Sequence, residues 1–518
     1  MHISYTFVQQ TERGHKKPVN LNYLTMKKII TTIALSAIAF TSFAGGLLTN
    51  TNQSASFVRN PARYASLETD AIYFNPAGTA FFEKGWRVSA NWQMVWQSRD
   101  ITSHVDNKQY GAKIYVPVMP SVMASYSTGK WSFSGFFGIP GGGGNCSFDN
   151  GLPMFNQLGN GFKELLPIVS GAQATGDAYS AFQSTQYVFG LQLGAAYRIL
   201  DNLSAYVGVR GNYTSASYNG AINFDAMSAK GTTKVSPLSL DLAQKGISVT
   251  PIIGIDYKVG NFNFAAKYEF RAVTNLKNNT KNLGIFGENY NKGVAKAGEN
   301  IGTKVYQAAY QQAYQATYDA YIAQGAPAEM AAQNATANAT NIATQTAAQV
   351  AGEAGGKLGM LSTLEDGKTL RNDAPASLSL GASWQATPWF KAMISGNYYF
   401  DKNATVESLL GGANNNKNLA HDTYEIAAGL EFNVTKNLLL SAGVQYTDFG
   451  ITNEYTSDLS FVNDSFMTGF GGKYSINEHW DINAGFCFAV YKKDKNTLKA
   501  ATYERDTYNA TIGVDFKF

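Results

Sequence analysis

Five basic residues, Arg210, Lys267, Arg271, Lys391 and Lys473, lie on the polar side of segments in which apolar and polar residues alternate. On the inner face of a closed sheet, a guanidinium or ammonium group can hold a carboxylate, and it is costly there unless it is paired. Arg210, Lys267 and Arg271 are therefore candidate contacts for a ligand carboxylate. Glu269, Glu425 and Glu431 share the same inner faces, so internal pairing is the simpler use of these cations. Either use is non-covalent.

Residues for bond-making chemistry do not assemble into a pattern. The histidines His2, His15, His104, His421 and His479 are scattered without metal-ligand spacing. No nucleophile elbow, P-loop or dinucleotide fingerprint occurs. The expectation is a protein that is not an enzyme and holds neither metal nor cofactor. A net charge of +4, spread evenly, gives no footprint for nucleic acid. Cys146 and Cys487 are far apart in sequence, and both a disulfide and two free thiols are open.

The elements that must position these charges are strands. In residues 508–518, Tyr508, Ala510, Ile512, Val514, Phe516 and Phe518 alternate with Asn509, Thr511, Gly513, Asp515 and Lys517. Residues 262–272, 424–434 and 480–491 repeat the pattern. With 30 Tyr, 31 Phe and 50 Gly but only 15% charged residues, the composition suits a wall that shows lipid alternate side chains. Short turns at 201–202, 260–261, 388, 435–437 and 477–479 alternate with longer polar loops, as outer-membrane barrels require. Strands are expected near 86–99, 112–127, 131–140, 184–200, 203–219, 246–260, 261–275, 375–387, 389–406, 422–435, 438–453, 464–476, 480–493 and 506–518. This predicts an all-β, antiparallel transmembrane barrel of about 14 strands with both termini in the periplasm.

Ahead of the barrel, Lys27 and Lys28, the apolar run 29–43 and Ala44 have the form of a secretory signal, giving a mature chain from about Gly45. The polar residues 1–25 point to an overextended start, with translation from Met26; a cytoplasmic tail is the alternative. Residues 1–44 thus form the extension and signal, 45–85 a plug, and 86–518 the barrel. Within the plug, 70–82 centre on Asn75, Pro76, Ala77 and Gly78, a sharp turn between aromatic shoulders.

Two places break the ladder. Gly138, Pro140, Gly141 and Gly142 fall where the third strand runs into a Pro and Gly series, so the wall should kink or open. Pro251 marks a candidate bulge. Residues 280–374 form an insertion whose middle, 299–358, lacks strand alternation. Tyr306, Tyr310, Tyr314 and Tyr318 recur every four residues, as do Ala331, Ala335, Ala339, Ala343 and Ala347, which predicts an extracellular helical hairpin turning at Gly325, Ala326 and Pro327. Helix packing is the simpler use of the tyrosine stripe, and a landing surface for greasy ligands the functional one. Residues 155–168 predict another short helix.

Asp70-Ala71 followed by Asn75-Pro76-Ala77, with the strand ladder and terminal Phe518, resembles the FadL-type family of outer-membrane long-chain fatty acid and hydrocarbon transporters. A second Asn-Pro-Ala, residues 60–62, lacks that spacing. The resemblance implies a Gram-negative outer-membrane location and a hatch formed by residues 45–85. It also implies an inward kink in the third strand opening a lateral hole near the Asn75 turn, and passive uptake of a hydrophobic small molecule released sideways into lipid. Expected partners are that ligand, outer-membrane lipid and the barrel-assembly machinery, with the barrel a monomer and nucleic acid absent. A surface adhesin using the helical insertion, and a general porin, are the competing readings.

Overall fold

The computed structural model describes residues 48–518 apart from 51, 171, 229, 230, 460 and 499. The signal run 29–43, its cleavage site and the stretch before it lie outside the described residues. Fourteen antiparallel strands close into one barrel. They are β1 Gly85–Ser103, β2 Gln109–Ser127, β3 Trp131–Phe148, β4 Gln173–Leu200, β5 Leu203–Ser228, β6 Gly231–Val259, β7 Phe262–Glu269 resuming as Asn275–Ile285, and β8 Thr369–Arg371 resuming as Ser377–Thr387. The circuit continues with β9 Phe390–Tyr399, β10 Thr423–Asn433, β11 Leu438–Asp448, β12 Ser465–Ser475, β13 Trp480–Tyr491 and β14 Ala501–Lys517. Closure comes from β1 pairing with β14, from Arg87 opposite Lys517 to Ser103 opposite Ala501.

The alternation of the sequence becomes an outside and an inside. Ile512 and Tyr508 of β14 are about half exposed to the surroundings, whereas Asn509 and Thr511 are buried within. At the short-turn end, aromatic pairs such as Trp480 with Phe516, centroids 4.3 Å apart, form a girdle suited to the membrane interface. Tyr398 and Tyr424 direct their hydroxyls to Asp422 and Asp448 near the opposite rim. No described helix is long and apolar enough to cross a membrane, and the crossing is made by strands.

The structure lengthens several expected strands. β4, β5 and β6 rise well beyond the apolar band, and β3 continues through the Gly series to Phe148. These upper portions carry Ser, Gln and Asn where the lower wall carries Val, Ile and Phe, so they lack the hydrophobic alternation that betrays a lipid-facing strand. Pro251 makes no bulge in β6: it pairs in regular register with Val209. Having no N–H to give β7, it leaves the irregularity in that neighbour, whose ladder lapses between Glu269 and Asn275.

At the long-loop end, α3 Pro153–Ser170 and the hairpin α4 Tyr290–Ala323 with α5 Ala328–Gly359 sit over the mouth, while α1 Ala55–Arg59 and α2 Ala71–Phe74 lie in the hatch. Leu158, Phe162, Ile301, Val350, Leu361 and Phe461 join one apolar cluster with the upper wall. Further along the hairpin, the buried stripe is Ala331, Ala335, Ala339 and Ala343. Tyr306, Tyr310, Tyr314 and Tyr318 are half-buried and stack on one another at 6.1 Å intervals.

The lumen is filled by the hatch, with α1 Ala55–Arg59, α2 Ala71–Phe74 and a 3-10 turn Pro76–Phe81. α1 lies on a floor of glycines: Gly429 opposes Gly443, Gly443 opposes Gly469, and Gly471 opposes Gly485. A Cβ on Gly485 would meet Ala55 O and Arg59 N at 3.0 Å, and one on Gly443 would meet Pro61 Cδ at 2.8 Å. At Gly443 the wall carbonyl Ala428 O would be as close, at 2.9 Å, but at Gly485 the nearest atoms all belong to the hatch, so there the cost of a side chain falls on its seating rather than on the wall. Gly485→Leu is expected to destabilise the seated hatch by about 1–3 kcal/mol. The readout is raised ion conductance in planar bilayers from barrels that still migrate as folded, heat-modifiable species; unchanged conductance would refute close seating.

Candidate functional site

β2 and β3 part company midway up the wall. Their ladder runs only from Val122 opposite Phe137 down to Ser127 opposite Ser132. Above it, among the described residues, β2 pairs only with β1 and β3 only with β4. Both edges of this seam have local causes. In β3 the pairing with β4 skips at Gly138 to Gly141 and again at Gly142 to Gly144. Pro140 lacks an N–H, and Gly142 and Gly144 take φ of 136° and 71°, values that favour glycine. In β2, Pro117 and Pro120 remove two more donors, and the strand slips against β1 between Gln93 and Val95. The sequence reading found the β3 edge and missed Pro117 and Pro120, although two prolines within four residues of a strand are themselves a signal.

A cavity of about 140 Å³ lies at the seam. Ile114, Val116 and Met119 line it from β2, Pro140 from β3, and Met467 and Cys487 from the far wall. Hatch residue Gln53 crosses its lower end: Gln53 Nε2 donates to Ile139 O at 2.9 Å, and Ser121 Oγ donates to Gln53 O at 2.6 Å. One buried residue thus ties β2 and β3 where their own ladder stops. Gln93 donates similarly to the carbonyl of Asn52.

The hydrogen bonds of the Asn75 turn go to neighbouring strands. Asn75 Oδ1 accepts from Gly78 N at 3.3 Å and caps the 3-10 turn, while its Nδ2 donates to Ser66 O and to Asp256 of β6. Ser204 of β5 donates to Ala77 O at 2.7 Å, and Arg198 of β4 to Ala80 O at 2.8 Å. Asn75, Pro76, Ala77 and Gly78 therefore fasten the hatch to β4, β5 and β6. The 3-10 turn also packs against β2 and β3, and beside it the Tyr73 ring centroid lies 4.6 Å from that of Phe136.

The candidate ligand cations are otherwise engaged. Arg210 and Lys267 share Glu269; Lys267 Nζ lies 2.8 Å from its Oε1 and donates also to Tyr73 O. Arg271 is exposed rather than lumenal and donates to Asn403 O at 2.6 Å. None of the three lines the seam cavity. Arg505 does: its Nη2 donates to Gln97 Oε1 at 3.2 Å, its guanidinium lies 4.6 Å from the Tyr491 ring centroid, and its buried Nε has no partner. Arg99 stands opposite it in register. Arg505 forms no ion pair among the described residues. Cys146 and Cys487 are free and buried.

The densest electrostatics hold the hatch to the opposite wall. Arg59 and Arg63, fully buried, flank the Asn60-Pro61-Ala62 turn. Arg59 reaches Glu68 at 3.0 Å and Glu431 at 3.1 Å; Arg63 reaches Glu68 at 2.6 Å, Asp70 at 2.8 Å and Glu431 at 2.9 Å. Lys391 and Lys473 complete the group from β9 and β12. Burial alone would raise the Glu68 carboxyl, but Lys473, Arg63 and Arg59 outweigh it and hold Glu68 well below the usual carboxylate range.

Residues 331–518 match the family model of the outer membrane protein beta-barrel domain. No curated protein sequence matches the chain. Among solved structures, a Pseudomonas aeruginosa FadL homologue superposes with a TM-score of 0.56 at 14% identity, covering 92% of this chain and 100% of its own. A mutant form of the TodX monoaromatic hydrocarbon channel of Pseudomonas putida gives 0.52 at 13% identity, covering 90% and 99%. At these identities the likeness is one of fold. With its closed 14-strand wall and lumenal hatch, the chain has the fold of the FadL-type outer-membrane β-barrels.

Proposed function

We propose that the protein admits hydrophobic small molecules passively across the outer membrane and releases them sideways through the seam between β2 and β3. The observation that carries this reading is the cavity itself, which lies where two neighbouring strands are unpaired and a hatch residue spans the gap. A greasy ligand gains nothing from a wet axial channel, whereas a lateral exit keeps its chain out of water. Solved proteins of the same fold are described as a FadL homologue and as a monoaromatic hydrocarbon channel, which supports the ligand class.

Arg505 narrows that class. A half-buried guanidinium whose buried Nε is unpartnered, beside apolar walls, fits an acyl chain ending in a carboxylate better than an uncharged hydrocarbon. The test is uptake of labelled oleate and labelled toluene by cells lacking their own transporters. Wild type should take up oleate, and Arg505→Gln should lower oleate uptake by about tenfold or more, the worth of one charged hydrogen bond, with toluene unaffected. Absence of uptake by correctly assembled wild type would sink the transport reading. An equal effect on both ligands would sink the carboxylate assignment.

A further inference from the structure

On the outer wall, β6 and β7 place Lys245 directly opposite Lys277. Both side chains are exposed. Like charges facing each other across a ladder repel, and a sheet tolerates them best where an anion sits between. A third cation, Lys281, is the extra residue where the same ladder slips, between Asp241 opposite Asn282 and Leu242 opposite Thr280. None of the three forms an ion pair among the described residues. Two acids lie beside them: Asp241 of β6, opposite Asn282 at the slip, and Asp366, just before β8, which already accepts from Thr280 N at 3.0 Å.

The height of this cluster is what gives it a partner. Immediately below Lys245 on the same face come Ile247 and Val249, 74% and 54% exposed, with Tyr213 beside Ile247 in register. On β7 the last outward apolar residues are Phe270 and Val273. The lysines thus stand where the lipid-facing band ends on the long-loop, extracellular side, at the level of outer-leaflet head groups. We propose that Lys245, Lys277 and Lys281 form a binding site for the phosphate of an outer-leaflet glycolipid, whose acyl chains lie along Ile247, Val249 and Tyr213. Three ammonium groups supply the donors for a phosphate dianion, and the apolar strip beneath distinguishes a lipid from a free anion. The site is separate from the seam and does not depend on what the barrel transports.

The test uses the full-length protein in detergent, titrated with lipid A, with lipid A stripped of its phosphates, and with inorganic phosphate. The Lys245→Gln, Lys277→Gln double variant is compared with Lys436→Gln, a change in a short turn at the opposite rim. Folding of each is checked by heat-modifiable gel mobility. Lipid A should bind the double variant about 30-fold more weakly than wild type, from about fivefold for each of the two basic residues at a charged surface. Lys436→Gln should leave binding unchanged, and the dephosphorylated lipid should bind wild type and double variant alike. Equal lipid A affinity for wild type and double variant would overturn the site. Full competition by inorganic phosphate would overturn the lipid as its occupant.

Discussion

Cells carrying a barrel with its seam repaired should take up no more fatty acid than cells without the protein. The repair needs both edges. Residues 138–144 of β3 would be replaced by an alternating strand without Gly or Pro, and Pro117 and Pro120 of β2 by threonine. Restoring β3 alone supplies donors to an edge that still lacks two of its own, so an intermediate loss is expected from either half and full loss from both. The magnitude follows from the ligand. Exposing an acyl chain of about 16 carbons to water at about 0.8 kcal/mol per methylene costs on the order of 10 kcal/mol, which no wet axial route recovers. Uptake of labelled oleate, with surface abundance and gel mobility of each variant as controls, gives the answer. Wild-type uptake through a demonstrably continuous β2–β3 ladder would refute lateral release.

How much of this could be read in the chain depends on what each residue is asked to do. Wall residues that face lipid announce themselves, because Tyr508, Ile512 and Phe516 must be apolar at every second position whatever the ligand. The break at Gly138 and Pro140 was legible for the same reason, since these residues violate a pattern their neighbours obey. The upper reaches of β4 to β6 stayed hidden because strands outside the bilayer carry no such obligation. Hatch chemistry was harder still. Gln53 spans the seam with one amide and one carbonyl, and nothing in its local sequence marks it. Arg59 and Arg63 did leave a sign, two cations bracketing Asn60-Pro61-Ala62, but attention falls first on the better-spaced turn at Asn75. Their meaning depends on Glu431, hundreds of residues away and recognisable beforehand only as an inward carboxylate on an alternating strand. Arg210 and Lys267 show the converse: their inward direction was readable, yet the partner that occupies them, Glu269, decides their role.

Glu431→Gln should turn a closed barrel into a leaky one. Three ion pairs join the hatch to the wall among the described residues, and Glu431 makes two of them, with Arg59 and Arg63; the third is Lys473 with Glu68. The glutamine keeps the shape and removes the charge, leaving Arg59, Arg63, Lys391 and Lys473 with Glu68 and Asp70 as their ion-pair partners among the described residues. Stranding buried cations in this way costs about 3–5 kcal/mol. The penalty is borne by the seated hatch, because an unseated hatch can hydrate its arginines while the 14-strand ladder stays intact. If seating is a two-state equilibrium, the open fraction rises by about two to nearly four orders of magnitude. Frequent channel openings in planar bilayers, and sensitivity of whole cells to large antibiotics that wild type excludes, are the expected observations. Lys391→Gln removes a partner of Glu431 without touching either hatch arginine, so it should open the channel far less. A Glu431→Gln barrel that assembles normally and stays closed would show that the hatch is held by its packing on the glycine floor, and that the buried charges only fix which way round it sits.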